Sequence, residues 1–417
     1  MNSNSSINAD RIGADIDALS AITEPGRPWT RRAFTPMFLE GRKWLEHALH
    51  EAGAVTQIDA AGNLIGVVPG KHPELGSIMV GSHSDTVPDG GRFDGIAGVV
   101  AGLEVARALR DQGMVLDHTL EIVDFLAEEV SIFGVSCIGS RGMSGTRPAE
   151  WLARTGDGLT LEQGISQVGG KPHGQAQRDD IRAFLELHIE QGPVLQDEEL
   201  DVGVVTAIAG ITRIEIIVEG RADHAGTTPM TLRKDALTTA AWIALGVEEL
   251  GKALASGEHH FAATVGEFEM TPNAANVVPA RVRILIDARA EQRDDMERFV
   301  DELDRGVAAI SAKTGVPVSP LRIVSDNNPT PGDAMLLDVL DAACETAGAR
   351  HRRMASGAGH DTAWMARITK AAMIFVPCVD GRSHSPDEFA TTQDIALGAA
   401  VLLDAVVALD KKLQETD

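Results

Sequence analysis

Apolar positions in the first fifty residues recur at helical spacing. Ile12, Ile16, Leu19 and Ile22 fall at i, i+4, i+7 and i+10, which predicts a helix over residues 8–22. A second helix, about 36–52, follows a loop punctuated by Pro25, Pro28 and Pro36. The period then changes. Ile78, Met79 and Val80 form a short apolar run that ends in Gly81-Ser82-His83-Ser84-Asp85. Ile96 to Leu109 reads as a long amphipathic helix, and Leu120 to Leu126 as a strand delivering Ala127-Glu128-Glu129. Strands alternating with helices predict an α/β domain with a mostly parallel sheet. In such sheets ligands sit beyond the carboxyl ends of the strands, and both of these strand ends carry polar residues.

From about Gly210 the texture shifts. Thr212 to Glu219 alternates with period two, the mark of a strand with one wet face. A helix near 234–254 and strands near 261–269 and 281–289 complete a β-α-β-β order, an α+β unit of its own. Helices at about 333–348 and 391–413 then flank a strand at 372–376, restoring the α/β texture. The predicted organisation is a discontinuous catalytic domain, 1–209 and 326–417, with residues 210–325 inserted.

Charge narrows the partners. Sixty-one Asp and Glu against 37 Lys and Arg leave a net charge of −24, which repels phosphate backbones and anionic lipid. Neither nucleic acid nor a membrane is expected as a partner. Tyrosine is absent, so no phenol serves as acid, base or nucleophile. Cys137, Cys344 and Cys378 are odd in number and contain no CxxC pair, which fits a reducing compartment. Cys137 and Cys378 read as small buried residues. The polar start has no basic segment followed by an apolar run, and nowhere do 18 apolar residues run together. A cytoplasmic protein is expected.

Four segments carry candidate chemistry. The first puts His83, Asp85 and Asp94 in loops of small residues at a strand end. If the strand continues, Asp85 points the same way as His83 and can orient the imidazole as a ligand; otherwise these are turn formers around a loop histidine. In the second, Glu128 and Glu129 are adjacent after an apolar strand. Buried together they would repel, a conflict that a cation removes, leaving one as ligand and the other as general base. The alternative is a solvated pair at a helix start. In the third, period two puts His188 and Glu190 on one face. The fourth places His384 in a turn-rich loop after an apolar strand. Either histidine alone is more often structural than a ligand. Together, three His and the carboxylates Asp94 and Glu129 suit two zinc or manganese ions sharing a bridging carboxylate, an arrangement that lowers the pKa of bound water towards ~7. Arg289 presents a fork that matches a carboxylate, or pairs with Asp287 on the same strand face. Gly357-Ala358-Gly359 is a turn whose N–H groups could meet an anion; His360 and Asp361 beside it could support a site or cap a helix.

Six ordered motifs span nearly the whole chain: GSHSDTVPDGGRFDG, AEEVSIFGVSCIGSRGMSG, ELHIEQGPVL, ADHAGTTPMTLRKDA, PNAANVVPARVRILIDAR, and SGAGHD followed by DGRSHSPDE. In these the sequence resembles the hydantoinase/carbamoylase branch of the di-metal aminoacylase-like amidohydrolases. That branch includes N-carbamoyl-L-amino-acid hydrolases, allantoate and ureidoglycolate amidohydrolases and β-ureidopropionase. The resemblance implies two divalent metal ions (Zn, Mn, Co or Ni) held by His83, Asp94, Glu129, His188 and His384, with Asp94 bridging. It further implies that Glu128 is the general base, acting on the bridging water and then on the leaving nitrogen, and that Asp85 orients His83. The inserted segment is implied to be a ferredoxin-like lid and dimerisation domain. From it His224 would reach the partner subunit's site in a homodimer and stabilise the oxyanion. Asn276, Arg289 and the backbone at Ala358 and Gly359 would hold the substrate carboxylate, and Gln191 the ureido end.

The implied reaction is hydrolysis of a linear ureido or amide C–N bond beside a carboxylate, above all in an N-carbamoyl-L-amino acid. Allantoate or ureidoglycolate hydrolysis, deacylation of N-acyl amino acids, exopeptidase action and a non-catalytic binding protein are the alternatives. One departure from the family pattern bears on the substrate. Val130 and Ile132 follow the Glu pair where most members carry Gly and Arg, implying a more apolar wall that suits an amino-acid side chain better than a second ureido group. The Phe133 to Arg141 stretch is nearer the ureidoglycolate version.

Overall fold

The computed structural model describes residues 6–415. They form two compact units. One comprises the chain up to Thr206 with Gly332–Met354 and His360 onward; the other comprises Ala207–Pro331 with Ala355–Gly359. Ala355–Gly359 thus groups with the inserted segment rather than with the residues that follow it.

In the first unit a mixed sheet is ordered Val55–Ile58, Leu64–Val68, Thr119–Phe125, Ser77–His83, Ile181–Ile189, Lys370–Val376 and Val202–Ile208. The four middle strands run parallel, and the flanking pairings are antiparallel. Parallel strands are covered on both faces, and Ser77–His83 is buried at every position. Helix Ile96–Asp111 supplies Val99, Val100 and Leu103 to this core, joined by Ile12 and Ile16 from the first helix and Leu402 and Val406 from the last. That last helix, Thr392–Lys412, is long and apolar enough to cross a membrane by length and composition; just over half of its most apolar window (56%) is buried in this core. Cys137, Cys344 and Cys378 are free and buried.

The second unit has a four-stranded antiparallel sheet, ordered Phe261–Thr271, Arg281–Ala290, Gly210–Glu219 and Arg322–Asp326. Strand Arg281–Ala290 buries every second residue, the alternation of a sheet covered on one face. Val282, Ile284 and Ile286 meet Ala240 and Ile243 of helix Ala236–Ala255 and Phe299 of helix Arg293–Thr314.

Candidate metal centre

The carboxyl ends of the parallel strands converge on Asp94. Strand Ser77–His83 delivers His83 as its last residue, and Ile181–Ile189 delivers His188 one residue before its end. Glu128 and Glu129 follow strand Thr119–Phe125 in a loop, not at a helix start. Their side chains are only 11% exposed each, so the solvated pair is excluded. Asp94 Oδ1 lies 3.5 Å from His83 Nε2 and 3.1 Å from His188 Nε2. Its Oδ2 lies 3.2 Å from His384 Nε2, which is in turn 3.1 Å from Glu129 Oε1. Two groups of potential ligands result, His83–Asp94–His188 and Asp94–Glu129–His384, with one carboxylate common to both.

The donor chemistry fits borderline divalent ions. His83 Nδ1 is 3.0 Å from the Asp85 carbonyl and His188 Nδ1 is 2.9 Å from the Ile189 carbonyl. Carbonyls only accept, so each Nδ1 carries a proton and Nε2 is the nitrogen that faces Asp94, where contact with the carboxylate favours the charged ring; on losing the Nε2 proton each ring takes the form in which imidazole binds metal. The Gly95 N–H also points at His188 Nε2, at 3.2 Å. Burial opposes charge on Asp94, yet contacts with His188, His384 and His83 hold it well below the usual carboxylate range. Contacts with Asp94 and Glu129 push His384 up to about 10. The Gln191 Oε1 atom is buried without a hydrogen-bond partner among the described residues.

Two expectations from strand periodicity are corrected. The strand stops at His83, and Nδ1 meets the Asp85 backbone carbonyl at 3.0 Å, while the Asp85 carboxylate, 3.6 Å away, still favours the charged ring. The carboxylate oxygens accept the backbone N–H groups of Glu128 at 3.2 Å and Glu129 at 3.3 Å, tying the two glutamates to the end of the neighbouring strand. Likewise the chain leaves its strand after Ile189. Glu190 accepts the N–H groups of Val194 and Leu195, both at 2.8 Å, instead of joining His188.

Glu128 Oε2 is 3.7 Å from His83 Nε2, and its Oε1 meets the Cys137 thiol at 3.5 Å. Burial, reinforced by Glu129, Asp361 and Asp85 against the pull of His83, holds its carboxyl well above the usual range. Beyond the expected residues, Ser383 and Glu388 brace Asp94. Ser383 Oγ donates to Asp94 Oδ2 at 2.9 Å and lies 2.8 Å from Glu388 Oε2. Gln191 donates to the same Asp94 oxygen at 2.9 Å. Asp361 accepts from Ser140 at 2.5 Å, and His360 packs edge-on against His188. Glu388 lies in the same motif as His384, the one local signal that could have found it. Val130 is 60% exposed and Ile132 packs against the cluster around Phe34 and Phe133, so Ile132 serves the core.

In the second unit His224 and Asn276 lie side by side, the Ala225 N–H donating to the Asn276 carbonyl at 3.0 Å. Both are exposed. His224 Nδ1 accepts N–H groups from Gly226 at 3.0 Å and Thr227 at 3.2 Å. Nε2 therefore carries the ring proton and is the outward donor. Arg289 donates to Asp287 at 2.8 Å and to the Gly357 carbonyl at 2.6 Å, so the pairing open in the sequence is made. The Ala358 N–H donates to Ser356 Oγ at 3.1 Å.

The chain has relatives of this architecture. The model of peptidase family M20/M25/M40 matches residues 79–408. The chain belongs to this family of metal-dependent hydrolases. Within it, the sequence is 37% identical to the N-carbamoyl-L-amino-acid amidohydrolase of Paenarthrobacter aurescens, over 97% of this chain and 98% of that protein. It is 34% identical to the ureidoglycolate hydrolase of Oryza sativa subsp. japonica, over 97% and 85%. The crystal structure of an amidase of the hydantoinase/carbamoylase family from Burkholderia multivorans superposes with a TM-score of 0.91 at 34% identity, covering 96% of this chain and 98% of that one.

Proposed function

We propose that this chain hydrolyses a linear ureido C–N bond beside a carboxylate, with an N-carbamoyl-L-α-amino acid as substrate and the amino acid, CO2 and ammonia as products. The observation that carries this reading is Asp94 facing two imidazoles with one oxygen and, with the other, the His384 ring that also meets Glu129, beside a largely buried Glu128 that belongs to neither ligand group. His83, His188 and Asp94 would hold one divalent ion and Asp94, Glu129 and His384 a second, from among Zn, Mn, Co and Ni. Such ions supply Lewis acidity towards water and the scissile carbonyl.

The chain's own groups do the rest. Glu128 accepts a proton from the attacking water and returns it to the leaving nitrogen, a task its raised affinity for a proton suits. Asp85 holds the backbone that carries Glu128 in register. His224, with its proton on Nε2, donates to the carbonyl oxygen as negative charge develops there. Without tyrosine in the chain, no phenol competes for that role. Arg289, Asn276 and the backbone at Ala358 and Gly359 bind the substrate carboxylate, and Gln191 binds the ureido end. His224 acts across a homodimer; Trp242 and Leu245, 48% and 57% exposed on helix Ala236–Ala255, give a second copy an apolar face to cover.

A second reading, ureidoglycolate or allantoate hydrolysis, is favoured by the Phe133–Arg141 stretch and by the rice relative. Parallel assays on N-carbamoyl-L-amino acids, ureidoglycolate, allantoate, N-acetyl-L-amino acids and dipeptides decide. The expected result is fastest ammonia release from the N-carbamoyl series. Faster release of acetate, or of an amino acid from dipeptides, overturns the proposal.

A further inference from the structure

His224 opens a turn, residues 224–228, that no buried side chain anchors. His224, Gly226 and Thr227 are exposed, and Ala225 and Thr228 are half-buried. Hydrogen bonds therefore set its shape. The Thr228 N–H donates to the His224 carbonyl at 3.1 Å and closes the turn, and an isolated bridge pairs His224 with Val277. The N–H groups of Gly226 and Thr227 both meet His224 Nδ1. The ring accepts them only while Nδ1 is bare, so the backbone of the turn decides which nitrogen carries the proton.

Two carbonyls of the same turn accept from one side chain. Arg233 Nη2 donates to the Ala225 carbonyl at 2.6 Å and to the Thr228 carbonyl at 3.1 Å, and Nε donates to the Thr228 carbonyl at 3.1 Å. Bonds from a charged donor are stronger than those between neutral groups. A planar, pre-organised fork across two carbonyls also holds their separation, which an ammonium on a flexible stem does not. The fork springs from an anchored stretch of chain. Arg233 is half-buried at the end of the short helix Met230–Leu232. The Lys234 carbonyl accepts the Arg221 N–H at 2.8 Å, and Asp235 caps helix Ala236–Ala255 through the Thr238 N–H at 3.1 Å. Arg233 shares the motif ADHAGTTPMTLRKDA with His224, and the chemistry proposed above gives it no part.

We propose that Arg233 is the positioning residue of His224. By clamping the Ala225 and Thr228 carbonyls it keeps the Gly226 and Thr227 N–H groups on Nδ1, and so keeps the proton on Nε2, the outward donor. The consequence for catalysis rests on the oxyanion role proposed for His224; the clamp on the ring does not. A donor aimed at a developing oxyanion loses much of its effect when displaced by about 1 Å. The clamp therefore acts on turnover and not on substrate affinity.

Two measurements test this. The first is proton–nitrogen correlation spectra of the full-length, zinc-loaded protein with labelled histidine, the His224 signals being identified by their loss in H224A. Wild type is expected to show the Nε2-protonated tautomer, and R233M a mixture of both tautomers. Unchanged His224 signals in folded R233M overturn the proposal. The second is steady-state kinetics on an N-carbamoyl-L-amino acid. R233M is expected to lower kcat by at least about tenfold with KM within about twofold, and R233M/H224A to be no slower than H224A. Additive losses in the double variant, or an effect confined to KM, overturn the proposal. A wild-type kcat in H224A overturns the oxyanion role of His224 instead, and the spectra alone then decide for or against the clamp. R233K keeps the charge without the fork; it is expected to fall between wild type and R233M in both measurements, and it takes the place of R233M should that variant not fold.

Discussion

Glu388 accepts the backbone N–H of Asp94 at 3.0 Å, from 294 positions further along the chain. The same Glu388 oxygen takes the Phe93 N–H at 2.9 Å, and its other oxygen holds Ser383, which donates to Asp94. Glu388→Ala removes the acceptor that the Phe93 and Asp94 N–H groups share and the group that holds Ser383. Loss of such support to a metal ligand costs roughly 10–100-fold in metal affinity. Competition with a fluorescent chelator measures it; unchanged affinity would remove Glu388 from the centre.

Gly95 has φ +66°, and a Cβ there would stand 2.4 Å from the His83 ring. The ring is buried and cannot retreat. Gly95→Ala is expected to displace His83, lower metal content and cost about 1–3 kcal/mol of stability. Metal analysis and thermal unfolding check both, and full metal content with an unchanged Tm would refute the packing argument.

Glu128→Gln is expected to leave metal content intact, because Glu128 belongs to neither group of potential ligands. Turnover should fall by about 10²–10⁴-fold, the usual weight of a positioned general base. A variant with near-wild-type kcat and normal metal content would exclude the role.

Metal loading should release protons. Asp94 and Glu129 push His384 up to about 10, so in the metal-free chain this ring is protonated at pH 7, whereas a metal ligand must be neutral. Affinity is therefore expected to rise with pH, about tenfold per unit for each proton displaced. The same sign applies to the metal-free fold: the contribution of His384 is complete below about pH 6.5 and is lost as pH rises through about 10. Calorimetry in buffers of different ionisation enthalpy counts the protons; a count of zero at pH 7 contradicts the scheme.

If His224 acts across a dimer, two inactive variants should complement. In a mixed dimer of Glu128→Gln and His224→Ala, one site keeps Glu128 and receives an intact His224 from its partner. Co-refolding or subunit exchange should then restore activity that neither variant shows alone. No recovery in verified mixed dimers would place His224 within its own subunit's site, or outside the reaction.

Much of the fold was legible in local pattern. The change from helical spacing to buried apolar runs follows from which faces must leave water, and it located the parallel strands and the polar residues at their ends. The ligand types were legible too, since imidazole and carboxylate are what divalent ions accept. Periodicity failed one or two residues past each strand. Asp85 and Glu190 follow strands that stop at His83 and Ile189, and both turned to backbone N–H groups that needed acceptors. Nor did any local pattern reveal that Asp94 divides its two oxygens between His188 on one side and His384 on the other, or that Ser383 and Glu388 fix it. Those relations join segments 94 to 295 residues apart, and only the packing of the parallel strands brings them within hydrogen-bond distance. The sequence by itself determined which elements form and which donors are present; the tertiary structure decided which carboxylate is shared, which is buried as a base, and which serves only to hold the backbone.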